Sequence, residues 1–364
     1  MVSRIIKSTI LACLIVACSF GLRLQGNEIY FPSGDEWETV EPESVGWDRK
    51  GLDKALDFAM ERKSSSVVVL HRGRILAQRH VEIARAGRYG AMVTGRTSSG
   101  NAIEDVASCQ KSIVSFLVGV AIEKELVELK QPVHQYLGKG WSNASAEQEE
   151  KITLQHLLSM TSGLNTRLNF EQAAGKKWRY NTNAYAKSLH CLESASGLTA
   201  NELTQAWLTE RIGMQDSEWT PRPWQKNTGA DANSRGFSTS ALDLARFGLL
   251  ILAQGRWKDV PLLREREYLQ KSLSSSQTLN PSYGLLWWLN GKSFAIRGAK
   301  MTKGPLLTDA PDDLVAALGA LGRKCYVVPS EQLVVVRLGD NPQGSLGASN
   351  FDANFWKLLM QAKN

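Results

Sequence analysis

The chain is 364 residues long, 43% hydrophobic and 22% charged, with 43 Lys and Arg against 36 Asp and Glu and a formal charge of +7. Such proportions allow two or three domains, or one large domain with an inserted lobe. They exclude a disordered acidic tail, a collagen-like repeat and a disulfide-dense miniprotein.

Residues 1–26 read as a leader outside the fold. Arg4 and Lys7 precede an apolar stretch, Ile10 to Phe20, that is too short to span a bilayer comfortably. Cleavage falls either before Cys18, in the lipobox-like run Ile15-Val16-Ala17-Cys18, or further on between Gly21 and Gly26. The first route makes Cys18 a candidate lipidation site and the one membrane connection expected. Both routes predict an exported protein, periplasmic, outer-membrane-anchored or secreted. Cleavage before Cys18 takes two of the seven charge units, Arg4 and Lys7, with the leader. The remaining basic residues are scattered with no long run, so no nucleic-acid partner is expected.

A helix is predicted from about Asp48 to Lys63, where Leu52, Ala55, Leu56 and Ala59 fall at helical spacing. A β-hairpin follows, with arms Val67 to Leu70 and Ile75 to His80. Residues 84–103, rich in Gly and Ser, read as loop. Ile113 to Ile122 is apolar on almost every face, as expected of a central buried helix. Further helices are expected over Thr153 to Met160, Ala184 to Ser196, Ala200 to Arg211 and Thr239 to Gln254. Strands return at Phe294 to Arg297, Leu314 to Ala317, Lys324 to Val328 and Gln332 to Leu338, before a closing helix from Phe351 to Ala362. The reading is an α/β (α+β) domain, residues 27–105 and 256–364, split by a helical lobe over 106–255. Its sheet would be assembled from both ends of the chain.

Cys109, Cys191 and Cys325 are an odd number without C-x-x-C spacing, as suits small buried side chains. The five histidines show no metal-ligand spacing. No phosphate-binding glycine loop or G-x-G-x-x-G turn is present, so no metal or organic cofactor is expected.

The most informative stretch is Val106-Ala107-Ser108-Cys109-Gln110-Lys111. Ser108 is the one serine followed by lysine three positions on. Residues at that spacing share a helix face, so the amine can reach the hydroxyl. Serine needs a base beside it, and a lysine whose pKa is lowered by burial or a neighbouring cation can serve. An N-cap serine followed by a surface lysine is the bland alternative. The all-apolar helix leaves Lys111 no obvious solvent face, which favours the catalytic one.

At these residues the sequence resembles the serine β-lactamase and penicillin-binding-protein superfamily. The likeness is closest to its class C-like branch of β-lactamases, esterases, amidases and D,D-peptidases, and it extends from about residue 45 to 340. Ile152 to Leu164, ending Ser159-Met160-Thr161-Ser162-Gly163-Leu164, resembles that family's helix-and-turn signature. Leu242 to Gly248 and Tyr283 to Trp288 are less specific likenesses that read as packing elements. The resemblance implies a β-lactamase-like fold: an antiparallel sheet flanked by helices, with an inserted all-helical lobe. It places Tyr180, in Tyr180-Asn181-Thr182, at the family's Tyr-x-Asn element, with Glu193 and Gly197 at matching spacing. Tyr180 would shuttle protons, given a strongly lowered pKa; a core aromatic is the bland alternative. Thr182 stands where asparagine is usual.

The family's Lys-Thr-Gly strand matches Ala317-Leu318-Gly319. Glycine at 319 would let substrate approach the backbone closely. By resemblance, the N–H groups of Ser108 and Ala320 form the oxyanion hole. Ala317 replaces the cation that commonly binds a substrate carboxylate. Arg323 or Lys324 could substitute for it, although a solvated pair is the plainer expectation. The resulting expectation is an exported serine hydrolase that forms an acyl-enzyme on Ser108 and cleaves a small ester or amide. The alternatives are a D,D-peptidase or β-lactamase acting on cell-wall-type substrates, including peptides, or a weakened peptide-binding relative. An α/β-hydrolase would need G-x-S-x-G, which the chain lacks.

Overall fold

Apolar runs from the two ends of the chain meet in one sheet. The structure is a computed structural model and describes residues 28–34, 36–222, 233–264, 266–342 and 350–364. The leader and Cys18 therefore lie outside the described residues.

Six strands form the central sheet. In spatial order they are Arg74–His80, Ser64–His71, Leu333–Gly339, Lys324–Val328, Val315–Leu318 and Trp288–Leu289, all paired antiparallel. Val68 stands opposite Val336, joining the N-terminal hairpin to the C-terminal strands. Ser64–His71, Lys324–Val328 and Leu333–Gly339 are buried along almost their whole length, so their apolar stretches Val67–Leu70, Cys325–Val328 and Leu333–Val336 run without alternation.

Helices cover both faces. Cys325 meets the Leu244 carbonyl of helix Ala241–Leu252, whereas Tyr326 meets Asp352 and Trp356 of helix Phe351–Gln361. Consecutive strand residues point to opposite faces, so these two helices lie on opposite sides of the sheet. Gly248 lets the first approach closely: a Cβ there would overlap Val334 and Cys325. Helix Arg49–Met60, capped by the Asp48 carboxylate, packs on Phe351–Gln361 and the first hairpin.

Helix Gln110–Glu123 runs through the interior with every residue from Gln110 to Ala121 buried. Beyond it, helix Thr182–Ser196 starts at an Asn181 N-cap and ends at Gly197 in the left-handed region. Two expectations are revised. Residues 84–103 are not simply loop: they carry helix Gly87–Met92, strand Val93–Arg96 and the start of strand Ala102–Asp105. Those two strands join Arg235–Thr239 and Glu218–Pro221 in a second, four-stranded sheet, so the inserted region also contains β-structure. Its strands are four or five residues long, too short to show a period. Helix Ala241–Leu252, grouped by sequence with the helical lobe, packs instead on the central sheet, because eleven of its twelve residues are apolar or paired and buried.

Candidate active site

Strand Ala102–Asp105 ends at the turn Ala107–Cys109, which leads directly into the buried helix. Ala107 adopts φ +51°, a left-handed conformation costly for a residue with a Cβ. Its N–H donates to Asp105 Oδ1 at 2.8 Å, and Val106 N–H donates to the Phe237 carbonyl at 2.9 Å. The Cys109 thiol lies 3.4 Å from the Ala317 carbonyl and 3.3 Å from that of Arg323. Ser108 is thereby presented on a turn tied to both sheets.

Lys111 Nζ lies 3.1 Å from Ser108 Oγ. The side chain is 2% exposed, and its amine sits 4.0 Å from the Tyr185 ring centre and 4.9 Å from that of Tyr180. Burial, reinforced by the Arg222 guanidinium, holds its pKa well below the ordinary lysine range. A lysine in that state can act as a neutral base toward the hydroxyl beside it.

Tyr180 comes from a loop pinned to the segment after helix Leu154–Leu158. Arg179 N–H donates to the Met160 carbonyl at 2.8 Å, and the Asn181 side chain donates to the carbonyls of Leu164 and Asn165. Gly163 is required in that segment, with φ +75° and the Gln172 carbonyl occupying the place of a Cβ. Trp178, Tyr283 and Trp288 wall the Tyr180 ring, with Trp288 stacked at 5.9 Å. The strongly lowered pKa expected of Tyr180 is corrected. Burial in this aromatic surround raises it, and the Ser108 hydroxyl, its hydrogen-bond partner, only partly opposes that shift. At neutral pH the phenol keeps its proton.

The strand element also differs in detail. Ala317 is 1% exposed and points into the core. Gly319 is required by the protein's own backbone, because a Cβ there would overlap the Val106 carbonyl, just before the Ser108 turn. That is a more local reason than substrate approach. Ala320, Thr182, Ser108 and Lys111 line one pocket of about 140 Å³, which Ala317, Leu318 and Gly319 do not line. Arg323 and Lys324 are not a solvated pair. Arg323 is buried 2.9 Å from Glu104, and Lys324 is buried 2.7 Å from Asp352, so neither supplies the cation that Ala317 lacks.

Two arginines that the sequence did not single out line the pocket: exposed Arg88, from helix Gly87–Met92, and buried Arg222. Arg222 makes a bidentate ion pair with Asp105, at 2.7 and 2.8 Å. The available signal was Asp105 itself, a carboxylate three residues before Ser108, next to a second carboxylate at Glu104. Its partner, over a hundred residues away, left no local trace. Cys109, Cys191 and Cys325 are buried free thiols, and burial pushes Cys109 and Cys191 up to about 12.

The turn bearing Ser108 feeds the buried helix between a helical layer and the antiparallel sheet, with the Lys111 amine beside its hydroxyl. The sequence matches the Beta-lactamase family model over residues 52–350, and the chain belongs to this family, within the serine β-lactamase and penicillin-binding-protein superfamily. An uncharacterized protein of Alkalihalophilus pseudofirmus is 22% identical over 316 residues, covering 81% of this chain and 88% of that protein. Among solved structures, a Bacteroides dorei protein provisionally named a beta-lactamase is similar with TM-score 0.64. It is 16% identical and covers 87% of this chain and 99% of its own. A Bacillus anthracis protein provisionally named a 6-aminohexanoate-dimer hydrolase is similar with TM-score 0.63 and 16% identity, covering 92% and 89%. At such identities the structural likeness carries the fold. Together with the family match it supports a serine-hydrolase-like enzyme.

Proposed function

We propose that this protein is an exported serine hydrolase that cleaves a small ester or amide through an acyl-enzyme on Ser108. The observation that carries this reading is the buried amine of Lys111, 3.1 Å from Ser108 Oγ. Lys111 as free base takes the hydroxyl proton while Ser108 attacks the carbonyl. The N–H groups of Ser108 and Ala320 hold the oxyanion, in keeping with their shared pocket. Tyr180, fully protonated, relays a proton to the leaving group and regains one from Lys111. Water then releases the acyl group by the same route in reverse. The pocket of about 140 Å³ favours a small acyl portion, and the leader reading supports export.

A second reading, a D,D-peptidase or β-lactamase, is favoured by one observation. Arg88 lines the pocket, and no carboxylate is among the lining residues described. It therefore offers an anionic substrate group the attraction that Ala317 does not.

The test is labelling of purified protein with a fluorophosphonate and a fluorescent penicillin, beside turnover of short p-nitrophenyl esters, in wild type and Ser108→Ala. Ester turnover and phosphonate labelling that vanish in the variant are expected. Penicillin labelling with slow release would move the assignment to the second reading. Activity intact in Ser108→Ala would end the nucleophile assignment, and silence toward every probe would favour a binding module.

A further inference from the structure

Behind the pocket lies a buried polar network that the acyl-transfer chemistry does not itself use. Asp105 is fully buried, and its carboxylate accepts from Arg222 Nε at 2.7 Å and Nη2 at 2.8 Å. Asp105 Oδ1 also accepts the Ala107 N–H at 2.8 Å, the bond that fixes the left-handed residue before Ser108. Gly236 makes room for this carboxylate, since a Cβ there would overlap it. Gln110 Oε1 accepts from Arg222 Nη2 at 2.8 Å and from the Phe237 N–H at 3.1 Å, which leaves Nε2 to donate to Tyr185 OH at 2.6 Å. The Tyr185 ring is the nearer of the two faces against the Lys111 amine, at 4.0 Å. Two branches thus leave one ion pair: one ends beside the nucleophile, the other at the cradle of its base.

We propose that the Arg222–Asp105 pair is a positioning unit for Ser108 and Lys111. Asp105 holds the turn that presents the hydroxyl, while Arg222 holds the amine's cradle and opposes a second positive charge beside it. The inference rests on the acyl-enzyme reading above. Arg222 is a positioning residue, not a catalytic one. The other titratable groups facing the amine are Cys109 on its own turn, Tyr180 on the loop and Tyr185 on helix Thr182–Ser196. Burial raises all three, so they are uncharged at neutral pH. Among the described residues Arg222 is the charged group that lowers the Lys111 pKa, and exposed Arg88 lines the same pocket.

The experiment measures the second-order rate of Ser108 labelling by a neutral fluorophosphonate from pH 5 to 10. Wild type is compared with Arg222→Lys and with the double variant Arg222→Gln/Asp105→Asn, with folding followed by circular dichroism. The double variant leaves no unpaired charge. Its acid limb is expected to move about one pH unit upward, with a loss on the order of tenfold at neutral pH. Arg222→Lys keeps the charge but not the fork, so its limb should stay in place while the plateau rate falls about threefold to tenfold. A folded double variant with wild-type rate and limb would overturn the proposal. So would an Arg222→Lys protein that matches wild type throughout. If the double variant does not fold, Arg222→Lys decides alone. A wild-type protein inert to the probe would overturn the underlying acyl-enzyme reading, whereas a reactive wild type with unmoved variants overturns only the positioning role.

Discussion

Glu104 and Asp105 are consecutive residues of one short strand, and each holds its own buried arginine: Arg323 lies 2.9 Å from Glu104, and Arg222 lies 2.7 Å from Asp105. Because strand neighbours point to opposite faces, the two pairs serve different parts of the molecule. The Asp105 pair faces the nucleophile turn. Glu104 also accepts from Tyr89 OH and from the N–H of Gly339, at the end of the central strand. The Asp105 pair thus borders the Ser108 turn, whereas the Glu104 group ties the short strand to the six-stranded sheet.

Glu104→Gln should therefore leave Arg323 buried without its counter-charge. Breaking one side of a buried pair costs about 3–5 kcal/mol. Urea unfolding should show a loss of that order, while the protein that remains folded labels at Ser108 within about threefold of wild type. An unchanged denaturation midpoint would mean that the pair contributes nothing net.

Lys111→Met should abolish acylation and yet stabilise the fold at neutral pH. The amine's pKa is lower in the folded protein than in the unfolded chain. Between those two values the unfolded chain binds the extra proton, so folding is penalised there, and stability rises with pH until the unfolded pKa near 10.4 is reached. Removing the amine removes the penalty. The variant's melting temperature should exceed wild type by roughly 3 °C or more at pH 7, and the gap should narrow as pH approaches 10. A gap that is absent at pH 7, or constant with pH, would show that Lys111 is not held as free base.

Gly319→Ala should act through backbone geometry. The added methyl meets the Val106 carbonyl, which cannot swing aside as a side-chain tip would. Strand and nucleophile turn must separate, at a cost of about 1–3 kcal/mol. Displacement of the turn by even 1 Å should slow labelling of the folded protein by on the order of a hundredfold. Wild-type labelling kinetics would place the strand away from the reacting groups.

Arg88→Gln should change selectivity more than rate. For an ester carrying a terminal carboxylate, kcat/KM should fall about threefold to fivefold, with a neutral ester of equal length unaffected. Added salt should erase the wild-type preference, because Arg88 is exposed. Equal losses on both esters would point to a structural role.

Much of this was legible locally. Ser108 and Lys111 stand three residues apart at the start of a helix whose apolar character announces burial, and the strands at the chain ends carry apolar runs such as Val67–Leu70 and Leu333–Val336. What was illegible depended on pairing across the chain. Strand Glu218–Pro221 gains its identity only from Arg235–Thr239 beside it, and neither sequence shows alternation. Arg222 and Arg323 look like surface residues until Asp105 and Glu104 are seen to meet them. The protonation of Tyr180 likewise follows from Trp178, Tyr283 and Trp288, which lie before and far after it in the chain. The Ala241–Leu252 helix was found, but its side of the molecule was not, because an all-round apolar helix does not say which surface it will cover.

The register of strand Ser64–His71 carries a consequence for the order of events during folding. Ser64–His71 is flanked by Arg74–His80 on one side and Leu333–Gly339 on the other, so its second neighbour arrives more than 260 residues later. Until that strand docks, Gly339 cannot reach Glu104, and the strand bearing Gly319 has no adjacent pair of strands on which to lean. Contacts of such long sequence separation form late and slowly. On the acyl-enzyme reading proposed above, Ser108 and Lys111 would gain the sheet-side support of their turn only when the last strand closes the sheet.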